Sequence, residues 1–225
     1  FWTIHPVFSK NITIDGITVY GESLNDDGVD PDSSEDVLIQ NCTIQTHDDA
    51  ISIKAGRDQD AWNRPGSKNM IIRNNRLLSG VNAFCIGSEM SGGVENLFIY
   101  NNTIKDGKHA LNFKCNLDRG GEVKNIYIRD LDIESCDEAM FIFRMDYHGY
   151  RGNNYPTKFQ NFFVSEIKCQ SVEGTAFKIV GVPDEPIKNI LLKNIEINSA
   201  GKATEVKHAQ NIVFDQVNVN GILLK

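Results

Sequence analysis

The chain has 225 residues, 40% of them hydrophobic, enough to bury a sizeable core within one domain. Its formal net charge is −7 and its lysines and arginines are scattered, which argues against a nucleic-acid partner, whose phosphates need a basic patch. No stretch reaches the ~18 consecutive apolar residues of a membrane-spanning helix, and no signal-peptide pattern is visible.

The first residues, Phe1-Trp2-Thr3-Ile4, begin without Met or a charged segment and are apolar where the end of a repeat stack needs a polar cap. They predict the C-terminal part of a longer protein, with N-terminal coils missing. A repeat follows. The strand-like segment Asn11-Ile-Thr-Ile-Asp-Gly-Ile17 is echoed at Asp36 to Cys42, Asn69 to Asn75, Asn96 to Asn102 and Asn125 to Leu131, and Asn161, Asn189 and Asn211 open three more. The openings lie 22 to 36 residues apart. Helical periodicity beyond two turns is absent, and β-branched and aromatic residues fill alternating positions. Short strands at this spacing without crossover helices predict an all-β solenoid, a parallel β-helix, spanning residues 1–225. Equal offsets then stack, giving an inward column of Ile17, Cys42, Asn75, Asn102, Leu131, Ile167, Ile195 and Val217. Within it Asn75 and Asn102 form a buried amide pair.

A second strand type follows most of these openings. His47-Asp-Asp-Ala-Ile-Ser-Ile-Lys54 alternates apolar and polar residues, and its outline returns from Asn82, His109, Glu138 and Thr175, each followed by alanine. Aligned on the alanines, these segments predict a column of Asp49, Asn82, His109, Glu138 and Thr175. Two insertions, Ala55 to Gly66 and Arg144 to Tyr155, leave this strand type at its C-terminal end and should overhang one cleft. The second carries Tyr147. Five cysteines without CxxC spacing read as small buried core residues.

Asp27 lies one coil before Asp48 and Asp49, and stacking at about 4.8 Å per coil brings the three carboxylates together. Like-charge repulsion then raises one pKa enough to hold a proton for a leaving group. A carboxylate pair flanking a glycosidic bond can act as acid and base, and inversion leaves about 6.5–9.5 Å between them for water. Taken alone, the three also read as ordinary turn aspartates.

Five segments in order carry a family resemblance: Phe1-Trp-Thr-Ile-His-Pro6, Asn25-Asp-Asp-Gly28 with Val-Asp-Pro-Asp after it, Asp48-Asp49, Ile86-Gly-Ser-Glu-Met-Ser-Gly-Gly93, and Lys114 after an alternating strand. Together they resemble glycoside hydrolase family 28, the polygalacturonases and related pectin hydrolases. The resemblance implies a right-handed parallel β-helix that hydrolyses pectic polysaccharide or oligosaccharide with inversion, as a secreted or periplasmic monomer needing no metal or cofactor, with no membrane or nucleic-acid partner. It implies Asp48 as general acid, with Asp27 and Asp49 holding the attacking water. Two departures stand out. The family's Gly-His-Gly reads Val81-Asn82-Ala83, and its Arg-Ile-Lys reads Asn112-Phe113-Lys114. Lys114, Glu89, Arg57, Asn82, His109, Tyr147 and Asn112 are the candidate substrate-binding residues. The local alternatives are a turn-capping Glu89, a backbone-satisfied turn histidine at 109 and solvent-facing cations. Three rival functions remain at this point: a catalytically impaired binder of acidic polysaccharide, a structural β-helix, and a hydrolase of rhamnogalacturonan or substituted pectin.

Overall fold

The computed structural model describes residues 2–225; Phe1, part of the expected uncapped end, lies outside the described residues. Strands Lys10–Asp15, Glu35–Gln40, Ser67–Arg73, Val94–Ile104, Glu122–Cys136, Lys158–Val180, Ile187–Lys207 and Ala209–Val219 pair in that order, always parallel. The eight openings expected from the repeat stand in register. Asn11, Asp36, Asn69, Asn96, Asn125, Asn161, Asn189 and Asn211 all adopt φ between 55° and 61°. From Asn69 onward, each side-chain amide donates to the side-chain oxygen of the coil before, at 2.9–3.3 Å. Asparagine recurs here because it tolerates the left-handed region and its amide both donates and accepts.

Each coil closes through two further faces. One stacks Ile51–Ile53, Asn82–Ile86, His109–Lys114, Ala139–Arg144 and the later part of Lys158–Val180. The other stacks Thr18–Tyr20, Thr43–Thr46, Arg76–Ser79 and part of Val94–Ile104. The result is a right-handed parallel β-helix, in keeping with the hand that strand twist imposes on parallel crossovers. No helix among the described residues is long and apolar enough to cross a membrane. All five cysteines are free and buried.

The inward column forms as expected, buried from Cys42 to Val217 with Ile17 partly buried against the core. Asn75 accepts the Cys42 N–H at 2.9 Å and donates to Ile39 O at 3.1 Å and to Asn102 Oδ1 at 3.0 Å. Asn75→Ala leaves these groups unsatisfied in a buried site, at about 1–3 kcal/mol. Thermal unfolding should register that loss as a lower Tm; an unchanged Tm is the contrary result.

The second column needs one correction. His109 pairs with Ala139 and Ala139 with Thr175, so Glu138 is displaced by one residue from its expected place. Ala139 to Phe143 is a continuous apolar run, buried throughout, and such a run carries no alternation to set register. The rings decide it: Phe141 and Phe143 both pack on Phe113 of the coil before, which leaves Glu138 at the turn with its side chain 57% exposed. On the outside, Phe98, Tyr127 and Phe163 stack coil upon coil, with centroids 4.9 and 5.0 Å apart and planes within 9° of parallel.

Candidate active site

Consecutive coils deliver the aspartates to one place. Val29 bridges Ile51, and the Gly28 N–H donates to Asp49 O at 2.9 Å, which seats Asp27 against Asp49. The turn bearing Asp48 is held by Asp26, whose carboxylate accepts the His47 and Asp48 N–H groups at 2.9 Å each. Gly21 makes room for that carboxylate, since a Cβ there would lie 2.2 Å from Asp26 Oδ2. One oxygen from each of Asp27, Asp48 and Asp49 lies within 4.8 Å of the other two. That approach is closer than the separation of about 6.5–9.5 Å expected for an acid and base with water between them.

Burial and mutual repulsion push the three apart in acidity. Asp48 is raised to about 6, by burial first and then by Asp49 and Asp27. Asp27 is also raised, chiefly by burial, with Lys54 opposing. Burial opposes ionisation of Asp49 as well, but Lys114, Lys54 and Asn82 outweigh it and hold its pKa below the ordinary carboxylate value. Lys114 Nζ donates to Asp49 Oδ2 at 2.8 Å. Lys54 Nζ lies 3.5 Å from Asp27, 3.2 Å from Asp30 and 3.8 Å from Glu89, and 4.1 Å from the Trp2 ring centroid. The site therefore combines a carboxyl that holds its proton up to a pH of about 6 with a neighbouring carboxylate kept charged.

Six of the seven expected binding residues fall into two groups. Lys114, Glu89 and Tyr147 border the aspartates: the Tyr147 ring centroid lies 5.2 Å from Lys114 Nζ, and Glu89 faces Lys54 and also lies 3.7 Å from Arg119. Asn82, His109 and Asn112 instead lie beneath Asp49, each at most 2% exposed. Asn82 Nδ2 donates to Asp49 Oδ1, and Asn82 Oδ1 receives Asn112 Nδ2 at 2.8 Å. Arg57 stays half exposed, 3.5 Å from Asp58. The two insertions do meet: Arg151 pairs with Asp58 at 3.5 Å and Trp62 packs edge-on against Tyr155 at 4.9 Å.

Asp30 and Arg119, two buried ionisable side chains, escaped the sequence reading. Asp30 is fully buried beside Lys54, and its pKa is raised well above normal, chiefly by burial. A signal for it existed. Ser52 and Lys54 form a polar face on a buried strand, and such a face needs partners one coil away. Arg119, 1% exposed, binds Asp58 at 2.6 Å and Ser88 O at 2.7 Å, joining the first insertion to the Glu89 segment. Asp118-Arg119-Gly120-Gly121 reads as an exposed turn, so no local signal marked it.

The sequence model described as glycosyl hydrolases family 28 matches residues 3–218. The chain belongs to family 28. Among curated family relatives, "Probable polygalacturonase" of Vitis vinifera is 32% identical over 91% of this chain and 43% of its own length. "Exo-poly-alpha-D-galacturonosidase" of Dickeya chrysanthemi is 27% identical over 97% of this chain and 36% of its own. The crystal structure of a hyperthermoactive exopolygalacturonase from Thermotoga maritima superposes with a TM-score of 0.89 at 31% identity, covering 96% of this chain and 49% of that one. The chain thus spans less than half the length of these family 28 relatives.

Proposed function

We propose that this chain forms the catalytic domain of a pectin-degrading glycoside hydrolase acting on α-linked galacturonan, outside the cytoplasm where the polymer lies. The observation that carries the reading is the contrast between Asp48, protonated up to a pH of about 6, and Asp49, held ionised within 4.8 Å of it. Asp48 gives its proton to the glycosidic oxygen as the bond to the anomeric carbon breaks. A water held by Asp27 and Asp49 attacks that carbon and passes its proton to the pair. The names of the relatives, which specify polygalacturonase and poly-α-D-galacturonosidase, support the sugar, and Lys114 at the cleft suits a uronate carboxylate.

Inversion fits the bonding of Asp49. Both of its oxygens are engaged, by Asn82 and by Lys114, which makes it a fixed acceptor for water and a poor nucleophile. The short span between carboxylates then requires the water to sit beside the trio. Proton NMR of a fresh digest of α-linked oligogalacturonide should show the β-anomer first; the α-anomer would establish retention. A panel of pectic oligosaccharides tests the substrate. Cleavage of rhamnogalacturonan alone would remove the galacturonan assignment, and binding without new reducing ends would leave a binding module.

A further inference from the structure

One buried polar chain reaches beyond the chemistry above. It runs from Asp49 through Asn82 to His109. Asn82 Nδ2 donates to Asp49 Oδ1, and the reverse orientation would set an amide oxygen against a carboxylate oxygen. Asn82 Oδ1 therefore faces away, where His109 Nδ1 lies at 2.8 Å and Asn112 Nδ2 at 2.8 Å. An acceptor at that place requires the imidazole proton on Nδ1. The ring is 2% exposed. Burial pushes its pKa down to about 4; Glu138 and Asp49 oppose that, while Arg144 and Lys114 reinforce it. The neutral ring consequently keeps a bare Nε2, which has no hydrogen-bond partner and lies 3.3 Å from Glu138 Oε2.

We infer that His109 is a positioning residue: its Nδ1–H, acting through the Asn82 amide, sets the orientation of the Asp49 carboxylate from beneath the cleft. The inference rests on the reading of Asp49 as a catalytic carboxylate. Without that donor, Asn82 Oδ1 keeps only Asn112, and the amide is free to tilt and draw its N–H off the Asp49 oxygen. Asp49 would then shift in the one place where the water must be held. His109 is buried behind Asn82 and offers the cleft almost no surface, so the loss belongs to kcat and not to KM.

The test compares two fillings of the same space. His109→Asn offers a side-chain N–H near the Nδ1 position, whereas His109→Leu fills the site without a donor. On oligogalacturonide, the leucine variant should lose about 10- to 100-fold in kcat, the scale of a displaced catalytic group, at unchanged KM, and the asparagine variant should recover most of that loss. Equal losses in both variants, no loss in either, or a rise in KM in place of a fall in kcat overturns the inference. Nitrogen-15 NMR of the unaltered protein at pH 6 reads the tautomer directly, whether or not the variants fold. A protonated Nδ1 with a bare Nε2 is expected, and the Nε2–H tautomer overturns the inference. Inactivity of the unaltered protein on every pectic substrate would instead remove the catalytic reading, leaving the tautomer measurement to decide the bonding of Asn82.

Discussion

Asp48→Asn is expected to lower kcat by about 10²–10⁴-fold while KM stays near its original value, because a general acid contributes only as the glycosidic bond breaks. The unaltered protein should lose activity as pH rises through about 6, where the half-buried Asp48 gives up its proton. The variant's residual rate should lack that limb. The variant's stability should move opposite to its activity. The folded state binds the Asp48 proton more tightly than the unfolded chain, whose value is 3.8, so stability falls as pH rises between about 4 and 6 and the full deficit persists above. Asparagine has no proton to lose. The inactive variant should therefore melt above the parent at pH 7.5 and close to it below pH 4. Kinetics on oligogalacturonide and melting at both pH values check the pair of effects; a kcat within a few-fold of the parent removes Asp48 as the acid.

Lys54→Met is expected to cost the most stability of any single change at the site. The ammonium group is 3% exposed and faces Asp27, Asp30 and Glu89. Removing it leaves buried carboxylates without a counter-charge, at about 3–5 kcal/mol. For a chain of this size each kcal/mol shifts Tm by about 2–4 °C. The sign with pH follows from what Lys54 opposes. Ionised carboxylates need the cation and protonated ones do not, so the deficit should be larger at pH 8 than at pH 4. Lys68→Met is the control, since its exposed side chain pairs with the partly exposed Glu35 at 3.5 Å and such pairs contribute little. Melting curves of the two variants at both pH values decide the matter: equal shifts would mean that water already enters around Lys54.

The solenoid was legible because its corner has a chemical requirement. A left-handed residue must recur once per coil, asparagine meets that need, and its amide ladder repeats the residue at each opening from Asn69 to Asn211. The aspartates were legible for a related reason, since equal offsets in neighbouring coils meet in space. Legibility ended where side chains gave no alternation, as in the apolar run that hid the register of Glu138. It ended also where burial depends on distant partners. Arg119 is neutralised by Asp58 across the cleft, a contact between loops whose lengths follow no repeat.

The distribution of chromophores makes these two parts of the molecule separately visible. The chain has two tryptophans, and both belong to the cleft: Trp2 lies over Lys54, and Trp62 donates to Arg119 O at 2.7 Å. Tyr127, by contrast, is sandwiched between Phe98 and Phe163 on the outer wall. Tryptophan emission therefore follows the loops around the aspartates, while the near-ultraviolet ellipticity of the stacked rings follows the coils themselves. Along a denaturant gradient, coincident transitions would describe one cooperative unit, and an earlier tryptophan change would mark the cleft loops as loosening while the coils still stand.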